Sequence, residues 1–290
     1  MIYLLAIGSA VLYGAADFTG GVATRRAGTI PVVILSQASG LILLALLLPV
    51  LPDASPSRAD LLWGALAGLT GGIGVALLYR ALAIGVMAVV APTTAVCAVA
   101  IPVVVSLFLG ERPGPLAVAG MVLGIGSIVL VSQQSPAKQS EHGEPASSPA
   151  RGSGVGTALA SGVMIGLFFL TLARSSADAG MWPILAARMV SVTLFAVIAI
   201  ARGISVRMPA RLAVLALICG VVDMVANALY LLATRQGQLS IVVTLSSLYP
   251  ASTVLLARIV LGERLNLLQS FGVGCALAAV ILIVSGGGNS

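Results

Sequence analysis

Residues 109–112 read Leu-Gly-Glu-Arg, and the same four residues return at 261–264, 152 positions later. The same offset relates glycine, proline and leucine positions far outside this tetrapeptide. The pairs are Gly14 and Gly166, Gly28 and Gly180, Pro31 and Pro183, Leu116 and Leu268, Gly120 and Gly272, and Leu130 and Leu282. A constant offset over most of a chain indicates an internal duplication. Each half is therefore expected to fold in the same way.

The composition is typical of a protein that lies in a lipid bilayer. Of the 290 residues, 59% are hydrophobic and 8% are charged, and the mean hydropathy is +1.12. Soluble domains carry about 25% charged residues, so this chain has too few charges to cover a water-exposed surface. The apolar runs have about the 20 residues of a spanning helix and show no strand alternation. The sequence therefore predicts an all-α integral membrane protein.

Ten spans are predicted, five in each copy of the duplication. The first copy covers 1–132, the second covers 154–290, and 133–153 is rich in Ser, Pro and Gln and is expected to be a flexible linker. The predicted spans are 2–22, 29–51, 59–79, 87–109, 115–132, 155–174, 182–201, 212–233, 239–260 and 267–285. Because five is odd, the second copy enters the membrane from the opposite face, which predicts inverted repeats. Such halves can expose a central site alternately to each side, and this favours a transporter.

Two five-helix repeats, each with a Gly-Glu-Arg turn after its fourth helix and a glycine-rich fifth helix, resemble the EamA-type carriers of the drug/metabolite transporter superfamily. The resemblance covers the chain except 133–153 and implies a secondary carrier. Such carriers are mostly exporters of amino acids, metabolites or drugs, with nucleotide-sugar and sugar-phosphate carriers as relatives. They are commonly drawn with cytoplasmic termini. Lys and Arg are more frequent in the odd-numbered loops of this chain, which places the termini outside instead, so the orientation stays open.

Charged residues inside predicted spans cost about 2.5–3.5 kcal/mol each at the helix centre on insertion scales, and three of them stand out. They are Asp17, Arg188 and Asp223. Asp223, Asn227 and Tyr230 share one face of the eighth span by helical spacing, and the matching face of the third span keeps only the tyrosine, Tyr79. This face is expected to line a polar cavity that binds an amine or a hydroxyl. The alternative is that Asp223 and Asn227 hold neighbouring helices together.

Arg188 lies two turns into the seventh span and has two candidate roles. It could hold a substrate carboxylate or phosphate, or it could neutralise Asp223 in a permanent ion pair. If the two are paired, protonation of the aspartate would free the arginine for an anion, which is one route to proton coupling. Asp17 shares a face of the first span with Tyr13 and is expected either in the headgroup region or in the cavity, and Tyr249 is a further candidate cavity aromatic.

The glutamates of the repeated turns are interpreted as structural. Glu111 and Glu263 follow the fourth and ninth spans beside Arg112 and Arg264, which suggests paired turn residues rather than gates. Pro250 removes a backbone donor and is expected to kink the ninth span beside the cavity.

The sequence therefore predicts a secondary active transporter, an exporter of a small polar or amphipathic metabolite such as an amino acid, with protons as the candidate coupling ion. The candidate substrate-binding residues are Asp223, Asn227, Tyr230, Arg188, Tyr79, Asp17, Tyr13 and Tyr249. The alternatives are a multidrug carrier, which the 4% aromatic content disfavours, a nucleotide-sugar or sugar-phosphate carrier, a passive channel and a structural protein. An enzyme or metal site is disfavoured because the single histidine, His142, lies in the linker. We expect a multi-pass protein of a bacterial inner membrane, monomer or homodimer, with no cofactor and no nucleic-acid partner.

Overall fold

The computed structural model describes residues 2–108, 114–132, 154–236, 245–246, 248–263 and 265–287. These residues form ten α-helices and no strand. The helices are α1 (Ile2–Ala27), α2 (Thr29–Leu47), α3 (Arg58–Ile84), α4 (Met87–Phe108), α5 (Pro115–Ser132), α6 (Val155–Leu172), α7 (Trp182–Ala201), α8 (Ala210–Gln236), α9 (Tyr249–Val260) and α10 (Leu267–Gly287). The predicted linker 133–153, Glu111, Arg112, Arg264 and the first part of the predicted ninth span lie outside the described residues.

Six helices are long and apolar enough to cross a membrane, judged on their length and composition. They are α1, Thr29–Val50 at α2, α3, α6, α7 and the Ala210–Tyr230 part of α8. The apolar segments of the other four helices are shorter within the described residues. The observed architecture agrees with the predicted all-helical membrane class, and the count of ten crossings stays a prediction.

The ninth predicted span is described only in part, at 245–246, which are helical, and from 248 onward. Its described helix, α9, begins at Tyr249, so Pro250 occupies the first turn. The first backbone N–H groups of a helix have no partner within the helix, so a proline there removes no hydrogen bond. The expectation that Pro250 kinks a longer span stays a prediction, because 237–244 and 247 lie outside the described residues.

The packing of the helices follows the duplication. α1 packs along α8, and the equivalent pair is α6 along α3. In the same way α2 packs on α8 as α7 packs on α3, and α4 packs on α6 as α9 packs on α1. The two helices of each pair come from different halves. The two halves are therefore interlocked, and equivalent helices have equivalent neighbours.

Two glycines related by the 152-residue offset lie at equivalent helix crossings. Gly68 on α3 packs against the backbone of Ala187 on α7, and Gly220 on α8 packs against the backbone of Ser36 on α2. A Cβ atom at either glycine would overlap a carbonyl oxygen of the facing helix. Small residues let helices in a membrane approach this closely. The absence of a side chain at these two positions therefore sets how near the halves lie.

Asp60 connects the halves at the start of α3. Its carboxylate accepts hydrogen bonds from the backbone N–H of Ser57 at 2.8 Å, in a capping box, and of Ser176 at 2.6 Å. The backbone N–H of Ser55 also donates to the carbonyl of Asp178 at 3.0 Å. The capping box satisfies donors that the first turn of a helix leaves unpaired. The loop before α3 is thereby tied to the turn between α6 and α7.

Glu263 connects the halves at the other end of α3. Its carboxylate accepts hydrogen bonds from the backbone N–H groups of Met87, at 3.2 Å, and Ala88, at 3.0 Å, which begin α4. Arg25, in the last turn of α1, forms an ion pair with Glu263 at 3.3 Å and donates to the carbonyl of Leu82 at 3.2 Å. The structural role predicted for this glutamate is supported, but its cationic partner among the described residues is Arg25.

The turns that follow α4 and α9 lie at opposite ends of α4. Glu263, after α9, contacts the first residues of α4. Gly114, in the equivalent turn, follows the end of α4, and a Cβ there would lie 3.0 Å from the carbonyl oxygen of Gly286 near the end of α10. The 22 residues of α4 span about 33 Å at a rise of about 1.5 Å per residue. Equivalent turns of the two copies are thus separated by the length of a helix.

We expect Glu263→Ala to lower the free energy of unfolding by about 0.5–2 kcal/mol, because two donors of α4 and the Arg25 guanidinium lose their acceptor. Thermal unfolding of the detergent-purified protein measures this change. Asp53→Ala removes a carboxylate from an exposed loop position and is the matched control, expected within about 0.5 kcal/mol of wild type. Equal melting temperatures of the two variants would show that the cap contributes nothing.

Candidate functional site

A buried ion pair joins α7 and α8 inside the helix bundle. The guanidinium of Arg188 donates to Oδ2 of Asp223, and its other terminal nitrogen donates to Oε1 of Gln37 at 2.5 Å. The side chains of Arg188 and Asp223 are only 12% and 23% exposed. Of the two roles predicted for Arg188, the ion pair with Asp223 is the arrangement found. Because Gln37 lies on α2, the cluster contains residues of both halves.

Asn227 completes this central cluster of Gln37, Arg188, Asp223 and Asn227. Its side-chain amide donates to the backbone carbonyl of Asp223 at 2.8 Å and to Oδ2 of the same residue at 3.3 Å. The two residues lie one turn apart on α8, as the helical spacing predicts. The amide therefore helps to fix the carboxylate that Arg188 contacts.

Small residues on α2 make room for the Arg188 side chain. A Cβ atom at Gly40 would lie 3.7 Å from Cζ of Arg188, and Gly220 lets α8 contact the backbone of Ser36. The hydroxyl of Ser39 donates at 3.0 Å to a backbone carbonyl of α8. This tight crossing of α2 and α8 brings the amide of Gln37 within reach of the guanidinium.

Two of the predicted aromatic residues meet where α1 crosses α9. The rings of Tyr13 and Tyr249 pack edge to face, with centroids 6.4 Å apart. Gly14, next to Tyr13, brings the helices together, since a Cβ there would lie 2.5 Å from the carbonyl oxygen of Tyr249. Edge-to-face pairs of this kind add to the stability of a packed interior.

Asp17 lies inside the bundle. It is half-buried, lies about 15 Å from the last residue of α1 at about 1.5 Å per residue, and has the carboxylate of Asp223 within electrostatic range. Its place in the cavity or in the headgroup region stays a prediction. Within the described part of the chain, no group donates a hydrogen bond to its carboxylate.

The other two predicted tyrosines make no hydrogen bond to the central cluster among the described residues, although Tyr79 is within electrostatic range of Arg188 and Asp223. Tyr79 is 4% exposed, packs its ring on Gly20 and shares a hydrogen bond of 3.1 Å with the Sγ atom of Cys219. Tyr230 is half-buried and packs with Ala6 near the start of α1. Tyr79 thus joins α1, α3 and α8, and a role of either tyrosine in binding stays a prediction.

Gln37 was not among the predicted site residues. A signal for it existed, since it is the single glutamine of an apolar span and stands one position after Ser36, the counterpart of Arg188 in the first copy. Spacing along one helix does not show which residue of another helix will face it. The partner of Arg188 on α2 therefore became visible only in the folded chain.

The chain is similar to a solved structure titled "Crystal structure of protein". The match covers 97% of this chain and 95% of the other chain, with a TM-score of 0.62 and 16% sequence identity. At this identity the similarity shows a shared fold alone. No curated protein matches the sequence. The model of the EamA-like transporter family matches residues 1–133 and 152–285, one segment in each copy of the duplication. These two segments take in nearly the whole chain. The chain therefore belongs to the EamA-like transporter family, a family of multi-pass membrane transporters.

Proposed function

We propose that the chain is a secondary active transporter that exports a small polar or amphipathic metabolite, of about the size of an amino acid, by alternating access. The observation that carries this proposal is the central cluster. Ionised side chains inside a membrane bundle are costly and mark substrate or ion pathways. Here an arginine and an aspartate lie in the interior, and residues of both halves contact them. A protein that only anchors or supports others needs no such charges.

Alternating access is supported by the arrangement of the halves. Equivalent helices have equivalent neighbours, and equivalent turns lie at opposite ends of α4. Both observations are what inverted repeats produce. The central cluster lies where α2 of one half meets α7 and α8 of the other. Rocking of one half against the other would therefore change which side reaches the cluster.

Proton coupling is supported by the composition of the same cluster. Protonation of Asp223 would remove the charge that holds Arg188, while Gln37 would keep one of its hydrogen bonds. A proton could in this way change both the charge and the hydrogen bonding of the pathway. The proposed coupling ion is therefore the proton. The bacterial inner membrane stays the predicted location.

Transport by the purified protein in proteoliposomes tests the proposal. We expect saturable movement of at least one solute in a panel of labelled amino acids and metabolites, with a pH gradient increasing its rate by about tenfold or more. Asp223→Asn should abolish the effect of the gradient, whereas Asp53→Asn, the same change on an exposed loop, should leave it intact. Flux that rises linearly with concentration would indicate a passive channel instead, and no movement of any solute would contradict the proposal.

A further inference from the structure

The loop after α7 folds back against the end of that helix. Gly203, two residues after the end of α7, has a φ of +62°, which favours glycine. The backbone N–H of Ile204 donates to the carbonyl of Ala199 at 2.8 Å, and that of Gly203 donates to the carbonyl of Ile200 at 3.1 Å. This pair of hydrogen bonds is the Schellman motif, which ends a helix. The loop residues 203–206 therefore lie beside the last turns of α7.

An apolar groove lies between this loop, α7 and α2. Its volume is about 360 Å³, at the lower end of the range of about 300–1,000 Å³ that ligand sites occupy. Ile200 is 81% exposed, and Val197, on the same face one turn earlier, is 56% exposed. Because α7 is long and apolar enough to cross a membrane, an acyl chain of the surrounding lipid can enter the groove without crossing water. The side chains that line the groove are Ile34 of α2, Ala196, Ala199 and Ile200 of α7, and Ile204 and Val206 of the loop.

Three arginines lie on and beside the loop that forms one wall of the groove. Arg202 directly precedes residues 203–206, Arg207 directly follows them, and Arg211 lies in the first turn of α8. All three residues are exposed, and none of their guanidinium groups forms an ion pair or a hydrogen bond with another described residue. The sequence contains no Asp or Glu from 179 to 222. The loop therefore carries three positive charges that the neighbouring sequence does not balance.

The start of α8 adds to this positive potential. The N-terminus of a helix carries a partial positive charge, which favours acidic residues in the first turn. The first turn of α8 contains no acidic residue and contains Arg211 instead. A cation in this position is unfavourable, and an anion at the loop would offset its cost. Apolar walls and a positive potential thus lie side by side, a combination that suits an amphipathic anion.

The first copy of the duplication shows that the fold does not require these arginines. At the 152-residue offset their counterparts are Val50, Ser55 and Ala59, and none of them is charged. The helices that follow nevertheless cross their partners in the equivalent way, at Gly68 and at Gly220. The arginines therefore belong to the second copy alone, which is expected of a binding site and not of a packing element.

We propose that the groove and Arg202, Arg207 and Arg211 form a binding site for one anionic phospholipid, with an acyl chain in the groove and the phosphate on the arginines. Arginine matches phosphate through two parallel hydrogen bonds, which favours it in such a site. The hydroxyl oxygen of Ser205, which lines the same groove, accepts from the backbone N–H of Arg207 at 3.2 Å. Its proton is therefore free for a phosphate oxygen. The site does not depend on the proposed transport activity.

Native mass spectrometry of the detergent-purified full chain tests this site with lipids that differ in the headgroup alone. The probes are phosphatidylglycerol and phosphatidylcholine with the same palmitoyl and oleoyl chains. We expect one phosphatidylglycerol to be retained with a preference of about tenfold or more over phosphatidylcholine, since each arginine near a membrane surface contributes about fivefold. Inorganic phosphate should not displace the lipid, because it has no chain for the groove.

Two triple variants show whether the loop arginines are responsible. The preference should be lost in the variant Arg202→Gln, Arg207→Gln, Arg211→Gln. The corresponding triple Lys variant should retain part of the preference, because it keeps the charges, which also influence topology, and loses only the planar fork. Thermal unfolding establishes that each variant is folded. If the triple Gln variant does not fold, the three single Gln variants carry the test, each with a loss of about fivefold.

The matched control removes the same charge from three exposed arginines elsewhere in the chain, by Arg80→Gln, Arg174→Gln and Arg258→Gln. It should bind both lipids as the wild type does. Equal retention of the two lipids by the wild type, or an unchanged preference in the triple Gln variant, would overturn the inference. Displacement of the lipid by inorganic phosphate would also overturn it, as would a dimer mass without lipid, which would indicate that a second copy covers the groove. None of these outcomes bears on transport in proteoliposomes, so the proposed function would stand.

Discussion

Asp223→Asn is expected to lower the free energy of unfolding by about 3–5 kcal/mol, because Arg188 would remain buried without its counter-ion. The partners of this arginine among the described residues are Asp223 and Gln37, and the amide of Gln37 is neutral. Arg188→Gln should cost a similar amount, since it leaves Asp223 without its counter-ion and with the like-charged Asp17 within electrostatic range. Unfolding by SDS in mixed micelles, followed by circular dichroism, measures both changes.

The double variant Arg188→Gln, Asp223→Asn separates the ion pair from packing. With both charges removed, two amides can hydrogen-bond to each other, so the double variant should be more stable than either single variant. Because the double variant should lose less than either single variant, the coupling energy from the cycle should be at least as large as one single loss, about 3–5 kcal/mol. Strictly additive losses would show that the two side chains do not depend on each other.

Gly220→Ala is the second change for which we expect a large effect. Its added methyl group would overlap the carbonyl oxygen of Ser36, which belongs to the backbone of α2 and has little freedom to move. Such overpacking costs about 1–3 kcal/mol, occasionally more. The shift should also separate Gln37 from Arg188, so transport should fall together with stability.

Gly274→Ala is the matched control for this change. A Cβ atom at Gly274 would meet nothing within 4 Å, so the substitution adds only helix propensity, worth up to about 1 kcal/mol. Gly68→Ala, at the equivalent crossing of α3 and α7, should behave like Gly220→Ala. Thermal unfolding of the three variants shows whether the helix crossings tolerate an added methyl group. Similar melting temperatures for Gly220→Ala and Gly274→Ala would mean that the crossing can relax.

Much of the secondary structure could be predicted from the sequence. The bounds of α7 and α5 match their predicted spans, 182–201 and 115–132, because apolar runs of that length have one stable form in a membrane. α3 begins at Arg58, one residue earlier than predicted, because the capping box formed by Ser57 and Asp60 makes Ser57 the residue that caps the helix. Helix type and length depend on neighbours along the chain, which the sequence contains.

The candidate site could be predicted only in part. Helical spacing placed Asp223 and Asn227 on one face, and the ion pair with Arg188 was one of two alternatives. The interior position of Asp17 and the contact of Gln37 depend on how α1 and α2 are rotated against α8. The rotation of a helix about its own axis is set by small residues that face each other across two helices. The pattern of residues within one helix does not predict it.

The interlocked packing of the helices has a consequence for biosynthesis. The most extensive helix contacts among the described residues all join one half to the other, as in α1 with α8, α3 with α6 and α5 with α10. When the ribosome has completed α5, none of these partners has yet been made. The glycine-lined faces of the newly made first half therefore have no partner helices at that stage. The native arrangement can form only after the second half has been inserted.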